Sequence, residues 1–294
     1  MLPGEREASL LRLAIQREGR LTDDTLALLR SIGLEFESFR RRLFSNCRNF
    51  PLALLHTRDD DIPEYVSAGT VDLGIVGRNL LHEEGVTVEE LLPLGFGYCS
   101  LVVAVPKDSA IASVEQLAGT KIATSYPRSA QRFFDEQHIP VEIITISGSV
   151  EVAPLLGLSS AIVDLTATGS SLVLNDLRPI HTILESEAVL AAHPAVLTDA
   201  QKQAQIDRLL LRIKGVLAAR RYRYVMMNAP RSALEEIYQI VPGLKMPTVV
   251  PLSDPEWVAV HTAVREEVFW EVIEALRAAG ASEILVSPIE KLVL

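Results

Sequence analysis

The 294 residues predict an α/β fold in two lobes, followed by a small domain of a different style. Three observations carry this expectation. Short apolar strands alternate with capped helical stretches through the first two thirds of the chain, the signature of α/β layers. One long two-faced helix at 198–221 then breaks the alternation. Beyond it the order becomes strand, helix, two strands, helix, strand, which is the ferredoxin-like unit.

The elements follow in order. LRLAIQ at 11–16 reads as a first strand, and Gly19 with Thr22-Asp23-Asp24 opens a helix that stops at Gly33. Residues 52–56 form a second strand, and 59–68 a helix with Pro63 in its first turn and Gly69 at its end. Residues 71–76 and 98–105 are buried strands. A second set begins there, with a short helix at 113–118, strands at 121–124, 141–146 and 161–165, a helix at 127–137, and an extended return over 180–190. The expected division is a first lobe over 1–104 with a return segment at 187–215, a second lobe over 105–186, and a C-terminal domain over 222–294. In that last domain, strands fall at 222–227, 248–252, 257–264 and 284–287, with helices at 232–240 and 266–278. Two lobes with a return crossing imply a cleft between them, where ligands bind.

Composition narrows the function. Hydrophobic residues make up 48% and charged residues 22%, a globular profile that excludes a disordered scaffold. The net charge of −10 and a pI near 5.2 argue against a nucleic-acid binder. Residues 1–50 nevertheless hold nine arginines against seven acids, which is either solvated helix charge or a site that suits a small anionic ligand better than a long polyanion. Two cysteines, Cys47 and Cys99, cannot make a disulfide framework or a four-thiolate zinc site, and both are expected as buried thiols in a reducing compartment. The N-terminus carries charges throughout and no run approaches 18 apolar residues, so no membrane contact and a cytoplasmic address are expected.

The densest chemistry lies at 161–172, AIVDLTATGSSL. An apolar strand delivers Asp164 near its end, and Thr166, Ala167, Thr168, Gly169, Ser170 and Ser171 precede a helical stretch. Backbone N–H groups and hydroxyls in such a turn make a nest for phosphate. An ordinary hydroxyl-capped turn reads the same way. No GxxxxGK[ST] and no G-x-G-x-x-G after a strand occurs, so an acid beside a monophosphate nest points to a sugar phosphate. Glu151 is either a first-turn helix acid or the partner of Asp164 around a ribose. Arg20 and Arg58 follow strand ends, where an α/β lobe opens its ligand crevice, and guanidinium forks match phosphate oxygens. Arg58 has the alternative of pairing with Asp59, Asp60 and Asp61. The six histidines form no HExxH or Cys/His cluster, and no G-x-S-x-G elbow occurs.

LAIQREGRLTDD, TRDDDIPEYVSAGTVDLGIVG, ATSYP at 123–127, GSVEVAPLLGLSSAIVDLTATGSSL at 148–172, PGLKMPTVVPLSDPEWVAV and GASEILVSPIEKL occur in that order over nearly the whole chain. Together they resemble the long form of the ATP phosphoribosyltransferases, the first enzymes of histidine biosynthesis. Four positions depart from the family pattern: Arg17 replaces a frequent lysine, Ser159-Ser160 a frequent Ala-Asp, and Asn79 a frequent acid.

The resemblance implies periplasmic-binding-protein-like (type II) lobes, Mg²⁺-dependent transfer of phosphoribose from phosphoribosyl pyrophosphate to ATP, and a homo-oligomer ranging from dimer to hexamer. It implies catalytic roles for Arg20 and Arg58, and ATP contacts from Arg20 and Tyr126. Phosphoribosyl pyrophosphate would be held by Glu151, Asp164 and Thr166 to Ser171, with Asp164 near the metal. A histidine effector site would use Asn228, Leu244, Met246 and Thr248. The competing expectation is a two-lobed sensor that binds a small anion or amino acid without catalysis.

Overall fold

The computed structural model describes residues 10–37, 43–241 and 246–293. Among these, the first lobe is built on strands β1 (Leu11–Gln16), β2 (Phe44–Asn46), β3 (Leu52–Thr57), β4 (Leu73–Gly77), β5 (Glu89–Pro93) and β11 (Ala188–Ala192). Their order across the sheet is β2-β3-β1-β4-β11-β5, with β1 parallel to β3 and β4, and β11 antiparallel to β4 and β5. Helices α1 (Thr22–Ser31), α2 (Ile62–Ser67) and α3 (Arg78–Glu84) belong to the same lobe.

The second lobe holds β6 (Cys99–Pro106), β7 (Lys121–Thr124), β8 (Glu142–Thr145), β9 (Ala161–Thr166) and β10 (Leu177–Ser186) in the order β10-β6-β9-β7-β8. Helices α4 (Pro127–Glu136) and α5 (Ser170–Leu174) accompany them. Its central strands are apolar on both faces because each face meets its own layer. Along β6, Leu101, Val103 and Val105 join one buried cluster, and Val102 and Ala104 join another. Along β9, Ala161 and Val163 go to the first cluster and Ile162 to the second. The period of two along each strand thus explains the unbroken apolar runs.

The chain passes between the lobes twice, at 94–98 and at 186–188, and the two passages are stitched by Ala188 N–H to the Phe96 carbonyl (2.9 Å) and Leu94 N–H to the Ala188 carbonyl (2.9 Å). Gly97 sits in this hinge at φ +67°, and a Cβ there would strike Leu21 and approach Ala188. Both the backbone angle and the lack of space call for glycine.

By contact the chain divides into two compact units, 1–206 and 207–294, with α6 (Ala200–Ala219) running across the division. The C-terminal sheet comprises β12 (Tyr222–Pro230), β13 (Thr248–Pro251), β14 (Trp257–Arg265) and β15 (Ser282–Pro288) in the antiparallel order β13-β14-β12-β15. Helices α7 (Leu234–Ile240) and α8 (Phe269–Ala278) cover one face, burying Val225, Met227, Ala229, Val258, Val260 and Val264 against Ile237, Val272 and Leu276. This is the βαββαβ order expected from the sequence.

Several boundaries differ from expectation. A first lobe ending at 104 would cut through β6, whose pairing with β9 and β10 places it in the second sheet. The extended return over 180–190 is two strands in two different sheets, β10 and β11, separated at the hinge. The helix expected at 113–118 is a 3-10 turn at Val114–Leu117. Three elements were not anticipated: the edge strands β2 and β5, and α3, which starts without a side-chain cap. None of the helices among the described residues is long and apolar enough to cross a membrane.

Candidate active site

Asp164 lies near the end of β9, opposite Val102 of β6. Its carboxylate accepts the N–H of Leu165 at 2.8 Å. Burial raises its pKa to about 6; the Leu165 hydrogen bond opposes the shift and the negative charge of Glu151 adds to it. Glu151 stands in the 3-10 turn Val150–Val152. The two acids named from sequence are therefore electrostatic neighbours in the folded chain, although 13 positions separate them.

The loop after β9 closes on itself. Gly169 N–H donates to Thr166 Oγ1 at 2.9 Å, and the Thr168 and Ser170 hydroxyls share a hydrogen bond of 2.8 Å. Gly169 caps α5 at φ +76°, and a Cβ there would meet nothing within 4 Å. The glycine is thus required by its left-handed backbone and not by any neighbour in the protein. Ala167, Thr168, Ser170 and Ser171 are exposed, and Thr166 is half-buried. The loop offers hydroxyls and N–H groups to the solvent side.

Tyr126 ends the turn after β7 and immediately precedes α4. Its side chain packs against apolar clusters of both lobes, which makes it a floor between them. Burial raises its phenol pKa, the nearby carboxylates of Asp164 and Asp60 and the Cys99 thiol raise it further, and Arg20 opposes them. Tyr126 therefore collects Asp164 from the second lobe and Arg20 and Asp60 from the first into one neighbourhood.

The two arginines differ. Arg20, in the turn after β1, donates through Nη1 to the hinge carbonyl of Gly97 at 2.6 Å. Arg58, between β3 and the 3-10 turn Asp59–Asp61, is exposed and makes no ion pair among the described residues. Its charge tempers the raised pKa of Asp60, whose burial and acidic neighbours Asp59, Asp61 and Glu84 push that carboxyl up.

Asp164 and Glu151 present hard carboxylate oxygens, a donor set that fits Mg²⁺, which takes one or two carboxylates and completes its shell with substrate phosphates and water. Among the described residues no group of three or more His, Cys, Asp or Glu could hold a metal by itself, so substrate oxygens would have to supply the rest.

In the C-terminal sheet, Asn228 pairs across β14 with Ala259, which pairs with Val250. Thr248 pairs with His261, which pairs with Met226. Asn228 and Thr248 thus occupy adjacent rows of the face turned away from α7 and α8. The Asn228 amide donates to the Glu283 carboxylate, Met246 is largely exposed, and Leu244 lies outside the described residues.

Sequence reasoning missed several groups that shape the site. Gln16 is buried, and its side-chain oxygen accepts the Leu21 N–H at 2.8 Å, fixing the turn that carries Arg20. Asn79, left without a role, is buried and accepts the Ser186 hydroxyl at 3.0 Å beside the hinge. Glu83 is buried at the seam between the lobes. A polar residue closing an apolar strand was the available signal for Gln16; nothing local marked the other two. Cys47 and Cys99 are both free thiols; Cys99 is buried as expected, whereas Cys47, just past the short edge strand β2, is only half-buried.

Comparison with known proteins agrees with this arrangement. The family described as "ATP phosphoribosyltransferase" matches residues 58–215, and the one described as "HisG, C-terminal domain" matches 219–291. The ATP phosphoribosyltransferase of Cytophaga hutchinsonii is 43% identical over 286 residues, covering 97% of this chain and 99% of its own. That of Parabacteroides distasonis is 41% identical, covering 97% and 100%. A solved structure titled "ATP phosphoribosyl transferase (HisG:HisZ) complex from Thermotoga maritima" superposes with a TM-score of 0.61 at 27% identity, over 70% of this chain and 99% of that one. With a two-lobed core, a βαββαβ unit behind it and relatives matched from end to end, the chain belongs to the ATP phosphoribosyltransferase family and is an enzyme of histidine biosynthesis.

Proposed function

We propose that this enzyme joins N1 of ATP to C1 of phosphoribosyl pyrophosphate, releasing pyrophosphate, and that the reaction takes place at the Tyr126 neighbourhood between the lobes. The observation that supports this reading is the convergence on Tyr126 of a carboxylate from one lobe and a guanidinium from the other. The lone pair of N1 becomes the new bond to C1, while the electrons of the C1–O bond leave with pyrophosphate. N1 is unprotonated at neutral pH, so the nucleophile needs positioning more than a base.

Each side chain has a task in this scheme. The loop Thr166–Ser171 exchanges its internal hydrogen bonds for the 5′-phosphate. Asp164 and Glu151 accept the ribose hydroxyls, with Asp164 also near the metal. Arg58 meets the charge that builds on pyrophosphate, and Arg20 spans the hinge and the nucleotide. Tyr126 presents its ring as a face for adenine. Asp164, with the substrate's own oxygens, would hold Mg²⁺, which would supply positive charge toward the departing pyrophosphate.

On the same reading the protein is cytoplasmic and self-associates as dimer and hexamer. The outer face of the C-terminal sheet, around Asn228, Met246 and Thr248, takes histidine as a feedback inhibitor, and the family resemblance adds Leu244 to that site. The direct test is release of pyrophosphate in Mg²⁺ buffer. It should require ATP and phosphoribosyl pyrophosphate together. Binding of either substrate with no release when both are present would favour a sensor and reject the proposal.

A further inference from the structure

Helix α4 begins without a cap of its own. Its N-cap residue is Tyr126, which supplies no side-chain acceptor, and Pro127 follows at the first helical position. The next two N–H groups, those of Arg128 and Ser129, have no partner within the helix. Ser129 is fully buried, so solvent does not satisfy its N–H. Both donors are taken by one side chain from the other lobe: Glu83, near the end of α3, accepts from Arg128 N–H at 2.9 Å and from Ser129 N–H at 2.8 Å. Glu83 is itself only 6% exposed.

The contact is reinforced on either side. His82 Nδ1 lies 2.9 Å from Ser129 Oγ, Arg132 donates to the His82 carbonyl, and Glu84 pairs with Arg128 at 2.5 Å. The last turn of a helix in one lobe is thus bolted to the first turn of a helix in the other. The bolt begins at Arg128, two residues from Tyr126, whose ring packs on both lobes.

We propose that Glu83 is a positioning residue: by capping α4 across the seam it sets the separation of the two lobes and holds Tyr126 in place. Its consequence for catalysis rests on the proposed reading of Tyr126 as the adenine face; the capping itself does not. A carboxylate is required because two N–H groups point at one side chain. Glutamine keeps the shape but turns an NH₂ toward one of the donors, and alanine satisfies neither.

Two measurements on the full-length chain decide the matter. Spin labels at Asp24→Cys and Asp108→Cys, one exposed site in each lobe, are placed in a Cys47→Ser, Cys99→Ala background and their separation is read by pulsed electron resonance. The parent should give one narrow distribution, Glu83→Ala a broader and displaced one, and Glu83→Gln an intermediate. In parallel, Glu83→Ala should raise the Michaelis constant for ATP by about tenfold or more, since small misplacements are costly. The constant for phosphoribosyl pyrophosphate should stay nearly unchanged, with Glu83→Gln again in between. Identical distance distributions in all three proteins would overturn the proposal. A broadened distribution with both constants unchanged would uphold the cap and overturn its consequence for catalysis, and with it the reading of Tyr126 as the adenine face. If the parent releases no pyrophosphate, the reading of the function fails, while the distance measurement still judges the cap.

Discussion

The two lobes meet the cleft with opposite chemistry. The first brings guanidinium groups on strand-end turns, Arg20 tied to the hinge at Gly97 and Arg58 held by no ion pair among the described residues. The second brings a carboxylate with a raised pKa and a loop whose hydroxyls bond one another. The difference teaches how labour is divided. On the proposed reaction, the cations would meet the charge that leaves, and the acceptors and hydroxyls would meet the sugar phosphate. One lobe alone has half of the chemistry, so the seam and hinge that join them matter as much as either set.

The largest expected effect is on the cationic side. Arg58→Ala should lower turnover by about 10²–10³-fold, because the charge it meets develops in the transition state. Affinity for ATP should change little. Steady-state kinetics at saturating substrates check this, and a rise in the Michaelis constant alone would make Arg58 a binding residue only.

The matching change in the other lobe is Gly169→Val. The left-handed backbone at φ +76° disfavours a β-branched side chain, so the loop must rearrange at a cost of roughly 1–3 kcal/mol. Because the Cβ meets open space, the lobe should still fold. Calorimetry should then show binding of phosphoribosyl pyrophosphate weakened by one to two orders of magnitude, about 10–100-fold, with ATP binding kept.

Deleting 222–294 asks whether control belongs to the cleft or to the C-terminal sheet. Histidine should inhibit the full chain through a coupling of about 5–150-fold in affinity and leave the truncated one untouched. Inhibition that persists after truncation would move the effector site into the lobes.

The smallest effect concerns pH. The raised pKa of Asp164 means the folded protein holds a proton there up to about pH 6, whereas the unfolded chain releases it near 3.8. Between those values the native state binds more protons, so this residue's contribution to stability falls as pH rises through the window. Asp164→Asn should therefore raise the melting temperature of the ligand-free protein at pH 7.5, by about 2 °C. It should also weaken phosphoribosyl pyrophosphate. In the parent, affinity for that substrate should fall below pH 6 by up to about tenfold per pH unit. Scanning calorimetry and titrations between pH 5 and 8 would read both. A lowered melting temperature in Asp164→Asn would show that the carboxylate stabilises the lobe.

Much was legible before any fold was known. The strands β1, β3, β6 and β9 are apolar runs bounded by turn residues, and the C-terminal βαββαβ order follows from spacing. Asp164 and the TATGSS loop announced themselves because a strand, an acid and several hydroxyls are contiguous. Residues that act through distant partners had no such signal. Edge strands β2 and β5 are short and partly exposed, so they carry no apolar period, and α3 follows Gly77 with neither a polar capping residue nor a proline to mark its start.

By itself, then, the order of residues determined the layers, the βαββαβ unit, the hydroxyl-rich loop after β9 and the arginines at strand ends, since each is written in neighbouring positions. Only the tertiary structure decided that 180–190 divides between two sheets, that Arg20 grips a hinge carbonyl 77 residues away, and that Glu83 caps a helix from the opposite lobe. The physical reason is the same in all three cases. A buried N–H or carbonyl must find a partner somewhere, but the sequence around it does not say where, because the partner is chosen by which surfaces pack together.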